Sequence, residues 1–237
     1  MTTEIIKQAI EQYYSEGLSF FPIPEKSKEA NIPWKCYQEH RPTEKDIAHW
    51  KSNGTANLAV VCGAVSGNLV VLDFDDHEKW YQYLDYTQYK LNLDMFKFTR
   101  LVRTSRGIHV WVRLPQMIKS QKFPKLDIQA EGRYVIAPPS THPSGTTYEF
   151  INPDVPIRQI NSLEDIGIDI ADKQAKQTGS ERGPENVIPE GQRNSTLEYL
   201  CQDNNYRRIA RTHTHHCLRN AYSHRYIGGN ASTFDVG

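Results

Sequence analysis

The 237-residue sequence predicts a mixed α+β domain, and three observations carry the prediction. Apolar residues recur at helical spacing in separate stretches, and several short apolar or alternating runs are bounded by Gly, Pro, Asn and Ser. No stretch repeats the regular strand-helix-strand alternation of a parallel sheet. The length suits one large domain, or one domain with a small appendage. Thirteen Tyr, eight Phe and four Trp supply the bulk of a core and argue against disorder over most of the chain.

Residues 3–16 read as an amphipathic helix, with Ile6, Ala9, Ile10, Tyr13 and Tyr14 at helical spacing and Gly17 as its stop. Residues 18–24 are a short strand entering a proline turn, followed by a loop carrying Lys26, Lys28, Trp34 and Lys35. Thr43 caps a second helix, Asp46 completes a capping box, and Ile47 and Trp50 face inward. Residues 57–63 form a buried strand ending at Gly63, and Ser66-Gly67-Asn68 turns the chain into the strongest strand signal, Leu69-Val70-Val71-Leu72. Asp76 caps a helix over 77–91, with Trp80, Leu84 and Tyr89 on or near one face. Residues 100–103 predict a strand before the turn Thr104-Ser105-Arg106-Gly107. Residues 109–114 alternate, with His109, Trp111 and Arg113 on one side. Short strands follow at 126–128, 134–137 and 147–150, the second of them closed by Pro138-Pro139. From about residue 171 the chain turns polar, and a short helix is expected near Arg193.

No apolar run reaches the roughly 20 residues of a membrane span, and the N-terminus lacks a signal-sequence pattern, so a cytoplasmic location is expected. Cys36, Cys62, Cys201 and Cys217 lack metal-site spacing, and the crowded His213-Thr214-His215-His216-Cys217 run does not fit a zinc finger. No structural zinc is expected. Net charge is zero, which weakens the case for a purely electrostatic nucleic-acid binder. From residue 204 onward five arginines meet one acid, leaving four surplus acids elsewhere, some of whose charge bound metal would neutralise.

Asp73 and Asp75 end the strongest strand. Alternation puts them on one face, with Cβ atoms roughly 7 Å apart. Burying unpaired carboxylates beside a hydrophobic strand is costly unless a cation compensates, which favours metal ligands over ordinary turn residues. Asp127 sits between Leu126 and Ile128 and is either a third ligand or structural. Three carboxylates suit a pair of Mg²⁺ or Mn²⁺ ions and nucleotidyl transfer. The turn formed by Thr104, Ser105, Arg106 and Gly107 is rich in donors, and its glycine permits close approach of a phosphate. His109 then donates to a phosphate oxygen, or is a packed strand histidine. Arg133 either meets phosphates or pairs with Glu131 or Asp127. Ser140 and His142 line the nucleotide or metal site, or belong only to the turn. Lys26, Lys28, Lys35 and Arg41 around Trp34 and Tyr37 make a patch for a template backbone and a stacked base, or a solvated loop.

These features in this order resemble the primase-polymerase domain of the archaeo-eukaryotic primase superfamily, found in plasmid and phage replication proteins. The resemblance spans roughly residues 5–150. It rests on Phe20-Phe21-Pro22-Ile23-Pro24, Asp73-Phe74-Asp75, Gly107-Ile108-His109, Leu126-Asp127, and the run from Gly132-Arg133-Tyr134 through Pro138-Pro139-Ser140-Thr141-His142. It implies a small N-terminal α/β module packed on a catalytic module with a mixed sheet, related to the RNA-recognition fold. Asp73, Asp75 and Asp127 would bind two divalent ions and His109 the nucleoside triphosphate. Single-stranded DNA template and primer would be partners, with a separate or fused helicase. The expected organisation is a catalytic domain over 1–170, a polar linker over 171–190 and an accessory tail over 191–237. Two departures stand out: 115–125 lacks the zinc stem of some relatives, and Arg106 occupies a turn where relatives favour small residues. A truncated primase-helicase, a standalone domain and a natural small version all stay open. The expected function is template-directed DNA priming and extension. The alternatives are a metal-dependent nuclease and a non-catalytic single-strand or origin DNA-binding protein.

Overall fold

Helix α1 (Thr3–Ser15) forms where helical spacing predicts it, burying Ile6, Ile10 and Tyr13. The computed structural model describes residues 3–170. Gly17 adopts a φ of 76°, a left-handed turn that favours glycine, and Leu18 N–H bonds back to the Tyr13 carbonyl at 3.0 Å. The chain then enters β1 (Ser19–Ile23). Trp34, expected in a loop, lies instead in a 3₁₀ turn, Trp34–Gln38. Helix α2 (Glu44–Ser52) opens with the Thr43–Asp46 box fully formed and buries Ile47 and Trp50, as the sequence predicts.

Strand β2 (Asn57–Val61) is buried throughout, and β3 (Leu69–Phe74) follows a turn in which Gly67 and Asn68 both take positive φ. Asp76 caps α3 (His77–Lys90) by accepting from Lys79 N–H at 2.9 Å. Its buried face is Trp80, Tyr83 and Thr87, whereas Tyr89 is 58% exposed. Nine residues beyond Trp80 is half a turn out of phase, so Tyr89 faces the other way. Next come α4 (Met95–Phe98), β4 (Leu101–Arg103), β5 (Ile108–Arg113), β6 (Gln121–Phe123), β7 (Leu126–Gln129), β8 (Tyr134–Ala137), β9 (Glu149–Phe150) and β10 (Arg158–Gln159).

These strands form two sheets. The first is antiparallel in the order β1-β2-β8. The second runs β6-β7-β3-β5-β4-β9, with β10 added parallel to β5, so it is mixed. The chain leaves the first sheet between β2 and β3 and returns to it between β7 and β8. Ile10, Tyr13, Phe20, Leu58, Leu69, Val71 and Trp111 belong to one buried cluster joining α1 and both sheets. On the other face of the second sheet Phe74 packs on Trp80 and Tyr83, at centroid distances of 5.5 and 4.9 Å. Arg100, 5% exposed, ties the end of α1 to this sheet. Its Nη1 donates to both Glu16 carboxylate oxygens (2.6 and 2.7 Å), and its Nε donates to the Val155 carbonyl at 3.0 Å.

The expected linker (171–190) and tail (191–237), with the Arg193 helix and the His213–Cys217 run, lie outside the described residues. Among the described residues no helix is long and apolar enough to cross a membrane.

Candidate active site

Strand pairing places the chemistry-bearing residues in one row. Asp73 of β3 lies directly opposite His109 of β5 on one side and Asp127 of β7 on the other, and Asp127 in turn faces Lys122 of β6. Directly opposed residues share a face of the sheet, with Cβ atoms roughly 4.5–5.5 Å apart. Asp127 is therefore the immediate neighbour of Asp73, although far from it in sequence. Two residues along the same face, Val71 and Trp111 enter the buried cluster. The row is the polar end of the face that builds the core.

Strand β3 ends at Phe74, so Asp75 lies just past it rather than within it. Asp75 nevertheless lines the same cleft as Asp73, together with Lys28, Ser105, Arg106, His109, Gln129, Tyr134 and Tyr148. Its backbone N–H bonds the Lys125 carbonyl in the β6–β7 turn at 3.3 Å. Asp76 is turned away to its helix-capping role and pairs with Lys125 at 3.0 Å.

Each acid of the row or cleft holds a basic side chain. His109 Nε2 lies 3.3 Å from Asp73, Arg106 Nη2 2.8 Å from Asp75, and Lys122 Nζ 3.3 Å from Asp127. Among the described residues no three His, Cys, Asp or Glu side chains stand together closely enough to enclose an ion as they are placed. Burial works to raise the pKa of Asp73, but His109 above all, with Lys28 and Arg106, outweighs it. The carboxyl is held below its ordinary value. The Tyr148 hydroxyl is pushed up to about 12 by burial first, then by the charges of Asp73 and Asp75. Burial, helped by Asp73 and Glu131, also pushes the Cys62 thiol up, which leaves it a poor nucleophile.

The turn before β5 is built differently from its sequence reading. Thr104 Oγ1 accepts the backbone N–H groups of Arg106 (3.3 Å) and Gly107 (3.0 Å), so those two donors already have a partner. Gly107 is required by the protein's own backbone: a Cβ there would overlap the Phe74 carbonyl oxygen at the end of β3. The close approach expected of a phosphate is thus made by Phe74. Ser105 and the Arg106 guanidinium still line the cleft. His109 is 4% exposed, and its Nδ1 has no hydrogen-bond partner, an uncommon state for a buried polar atom.

Other expected site residues stand elsewhere. Ser140 is fully buried, accepting from Leu58 N–H (2.8 Å) and donating to the Leu58 carbonyl (3.1 Å). It completes the edge of β2 and does not line the cleft. His142 is tied to Ser144 through Nδ1, at 2.8 Å to its hydroxyl, and lies outside the cleft lining. Burial first, then Lys28 and Arg106, lowers its pKa. Arg133 is exposed, lines no part of the cleft, and makes no ion pair with Glu131 or Asp127.

The residues of the expected template patch divide between the edge of the core, the surface and the cleft. Trp34 and Tyr37 stack on Phe21 at 5.5 and 6.1 Å, and Arg41 lies over Tyr14 at 5.0 Å. Of those four basic residues only Lys28 lines the cleft. Gln129, Tyr134 and Tyr148 line it too; of these only Tyr134 falls in a run that the sequence singles out, and there not as a site residue.

Residues 10–164 match the family model described as bifunctional DNA primase/polymerase, N-terminal. No curated protein matches the chain.

Proposed function

The chain belongs to the bifunctional DNA primase/polymerase family, with the N-terminal domain of that family covering most of it. From that premise we propose that it is a template-directed DNA primase/polymerase, joining nucleotides on single-stranded DNA by two-metal nucleotidyl transfer. The observation that carries the reading is the register: Asp127 directly beside Asp73, with His109 on the other flank. The sheet order β7-β3-β5-β4, with α3 connecting β3 to β4, supports a catalytic module related to the RNA-recognition fold. The first sheet, with α1 and α2, then corresponds to the small N-terminal module.

The donor set fits hard divalent cations, because all three candidate ligands are carboxylates and no thiolate competes among them. Asp73, Asp75 and Asp127 would hold the ions by exchanging their present partners His109, Arg106 and Lys122. When bound, Mg²⁺ or Mn²⁺ lowers the cost of ionising a 3′-hydroxyl and offsets charge on the departing pyrophosphate. The protein's own groups do the rest. Arg106, released from Asp75, and Ser105 bind triphosphate oxygens at the mouth of the cleft. His109, with its unpartnered Nδ1, donates to a phosphate oxygen from the floor. Asp73, Asp127 and His109 are fixed by ladder bonds on rigid strands, and Asp75 stands just past the end of β3.

Primer synthesis on a single-stranded template with nucleotides and Mn²⁺ tests the reading. Product should disappear with Asp73→Ala, with Asp127→Asn and with chelator. Equal product from wild type and Asp73→Ala refutes it, and template degradation without nucleotides would mark a nuclease instead.

A further inference from the structure

The basic groups of the cleft are not equivalent. Arg106 and His109 are each engaged by an acid of the site. Lys28 lines the same cleft, yet among the described residues it lies within ion-pair distance of no carboxylate. A lysine facing a cleft without an acidic partner is a place for an anion.

Lys28 is also delivered from a different part of the fold. The other basic groups come from β5 and the turn before it, whereas Lys28 rides on the loop after β1 of the first sheet. That loop is built to hold one position. Tyr134 Oη donates to the Lys28 carbonyl at 3.0 Å, and the Tyr134 ring is wedged between Phe21 (5.2 Å) and Trp34 (4.7 Å). Ser27 closes the loop locally, its Oγ donating to the Glu29 carbonyl and accepting the Glu29 N–H at 3.0 Å. Lys26, two residues earlier and equally charged, is exposed and does not line the cleft.

We infer that Lys28 binds the triphosphate of the incoming nucleotide, so that the loop after β1 of the first sheet adds a counter-charge to a reaction centre whose acids stand on, or just past, strands of the second. The inference rests on the nucleotide-site reading above and names a residue and a ligand group within it. A template phosphate is the competing anion. The geometry favours the triphosphate, because Lys28 shares its cleft with Ser105, Arg106 and His109, not with Lys26, Lys35 or Arg41.

The test uses the full chain and three variants, Lys28→Ala, Lys28→Arg and Lys26→Ala. Binding of a deoxynucleoside triphosphate and of inorganic tripolyphosphate is measured by calorimetry with Mg²⁺, and binding of a single-stranded oligonucleotide by fluorescence anisotropy. Lys28→Ala should weaken both triphosphate ligands by roughly tenfold and leave oligonucleotide affinity within about twofold, because one charge-assisted bond at an open site is lost. Lys28→Arg should retain most of the affinity, and Lys26→Ala should match wild type. Unchanged triphosphate binding in Lys28→Ala, with wild type binding normally, overturns this inference alone. A loss confined to the oligonucleotide also overturns it and assigns Lys28 to the template. A wild type that binds no nucleotide overturns the nucleotide-site reading as well.

Discussion

Gly107→Ala separates two accounts of the turn beside the acids. At a position without left-handed φ, replacing glycine by alanine ordinarily stabilises by about 0.4–1 kcal/mol, by restricting the unfolded chain. Gly107 is such a position, since its φ lies outside the left-handed range. Its added Cβ would nevertheless overlap the Phe74 carbonyl oxygen, and it would lie 2.8 Å from the Phe74 carbonyl carbon and 3.2 Å from Asp76 N. All three are backbone atoms. Phe74 is paired on both sides, with Ile108 and Leu126, so it has nowhere to move. Relief requires the turn to lift, straining the Thr104 bonds to Arg106 and Gly107. Overpacking of this kind costs about 1–3 kcal/mol, and each weakened turn bond adds about 1 kcal/mol. The expected outcome is a net loss of about 3 kcal/mol in urea unfolding, without nucleotide present. A neutral or stabilised variant would refute the argument and return the glycine to a role in approaching phosphate.

Three further outcomes are expected. Glu16→Gln leaves the nearly buried Arg100 guanidinium without its countercharge and should cost about 3 kcal/mol, read as a lowered urea midpoint; a loss below about 0.5 kcal/mol contradicts the buried pairing. Ser140→Ala strips both Leu58 backbone groups of their partner and should cost about 1–3 kcal/mol, with nucleotide affinity unchanged. Asp76→Ala removes a helix cap and should cost about 1 kcal/mol at pH 7, measured by thermal unfolding. The Asp76 carboxyl is held below its ordinary value by the Lys79 backbone N–H first, then by Lys125. Its contribution is therefore complete above the unfolded-state value of about 3.8 and vanishes as pH falls through the lower folded value. The gap between wild type and Asp76→Ala should close on that descent.

Features set by nearest neighbours were legible in the sequence. The Thr43–Asp46 box, the Asp76 cap, the stop at Gly17 and the alternation of β5 each depend on a few adjacent residues. Features set by pairing were not. The adjacency of Asp73 and Asp127 comes from the β3–β7 register, which no local pattern specifies; only the resemblance suggested that they meet. Strands β6 and β10 were missed because Gln121-Lys122-Phe123 and Arg158-Gln159 are short, largely polar edge segments without a buried face to leave a pattern. Ser140 stays ambiguous in sequence because a buried hydroxyl and a ligand-binding one look alike until their partners, here both backbone groups of Leu58, are known. Lys28 was grouped with Lys26, Lys35 and Arg41 by proximity in sequence, whereas loop geometry sends it alone into the cleft. Trp34 and Tyr37, a platform for a base or part of a solvated loop on sequence grounds, are partly buried and stack on Phe21 at the edge of the core.

The split of the cleft between two sheets has a mechanical meaning. Asp73, Asp127 and His109 sit on strands paired along both edges, whereas the Lys28 loop is held against the first sheet by the Tyr134 hydroxyl and ring, by Asn57 at the Pro24 carbonyl, and by Ala30 and Ile32 packed on the core. Strain reaching that sheet would shift the grip on an anion while the carboxylates stay where their ladders fix them. Substitutions at Trp34, next to the Lys28 loop and outside the cleft lining, would therefore bear on the hold before the chemical step.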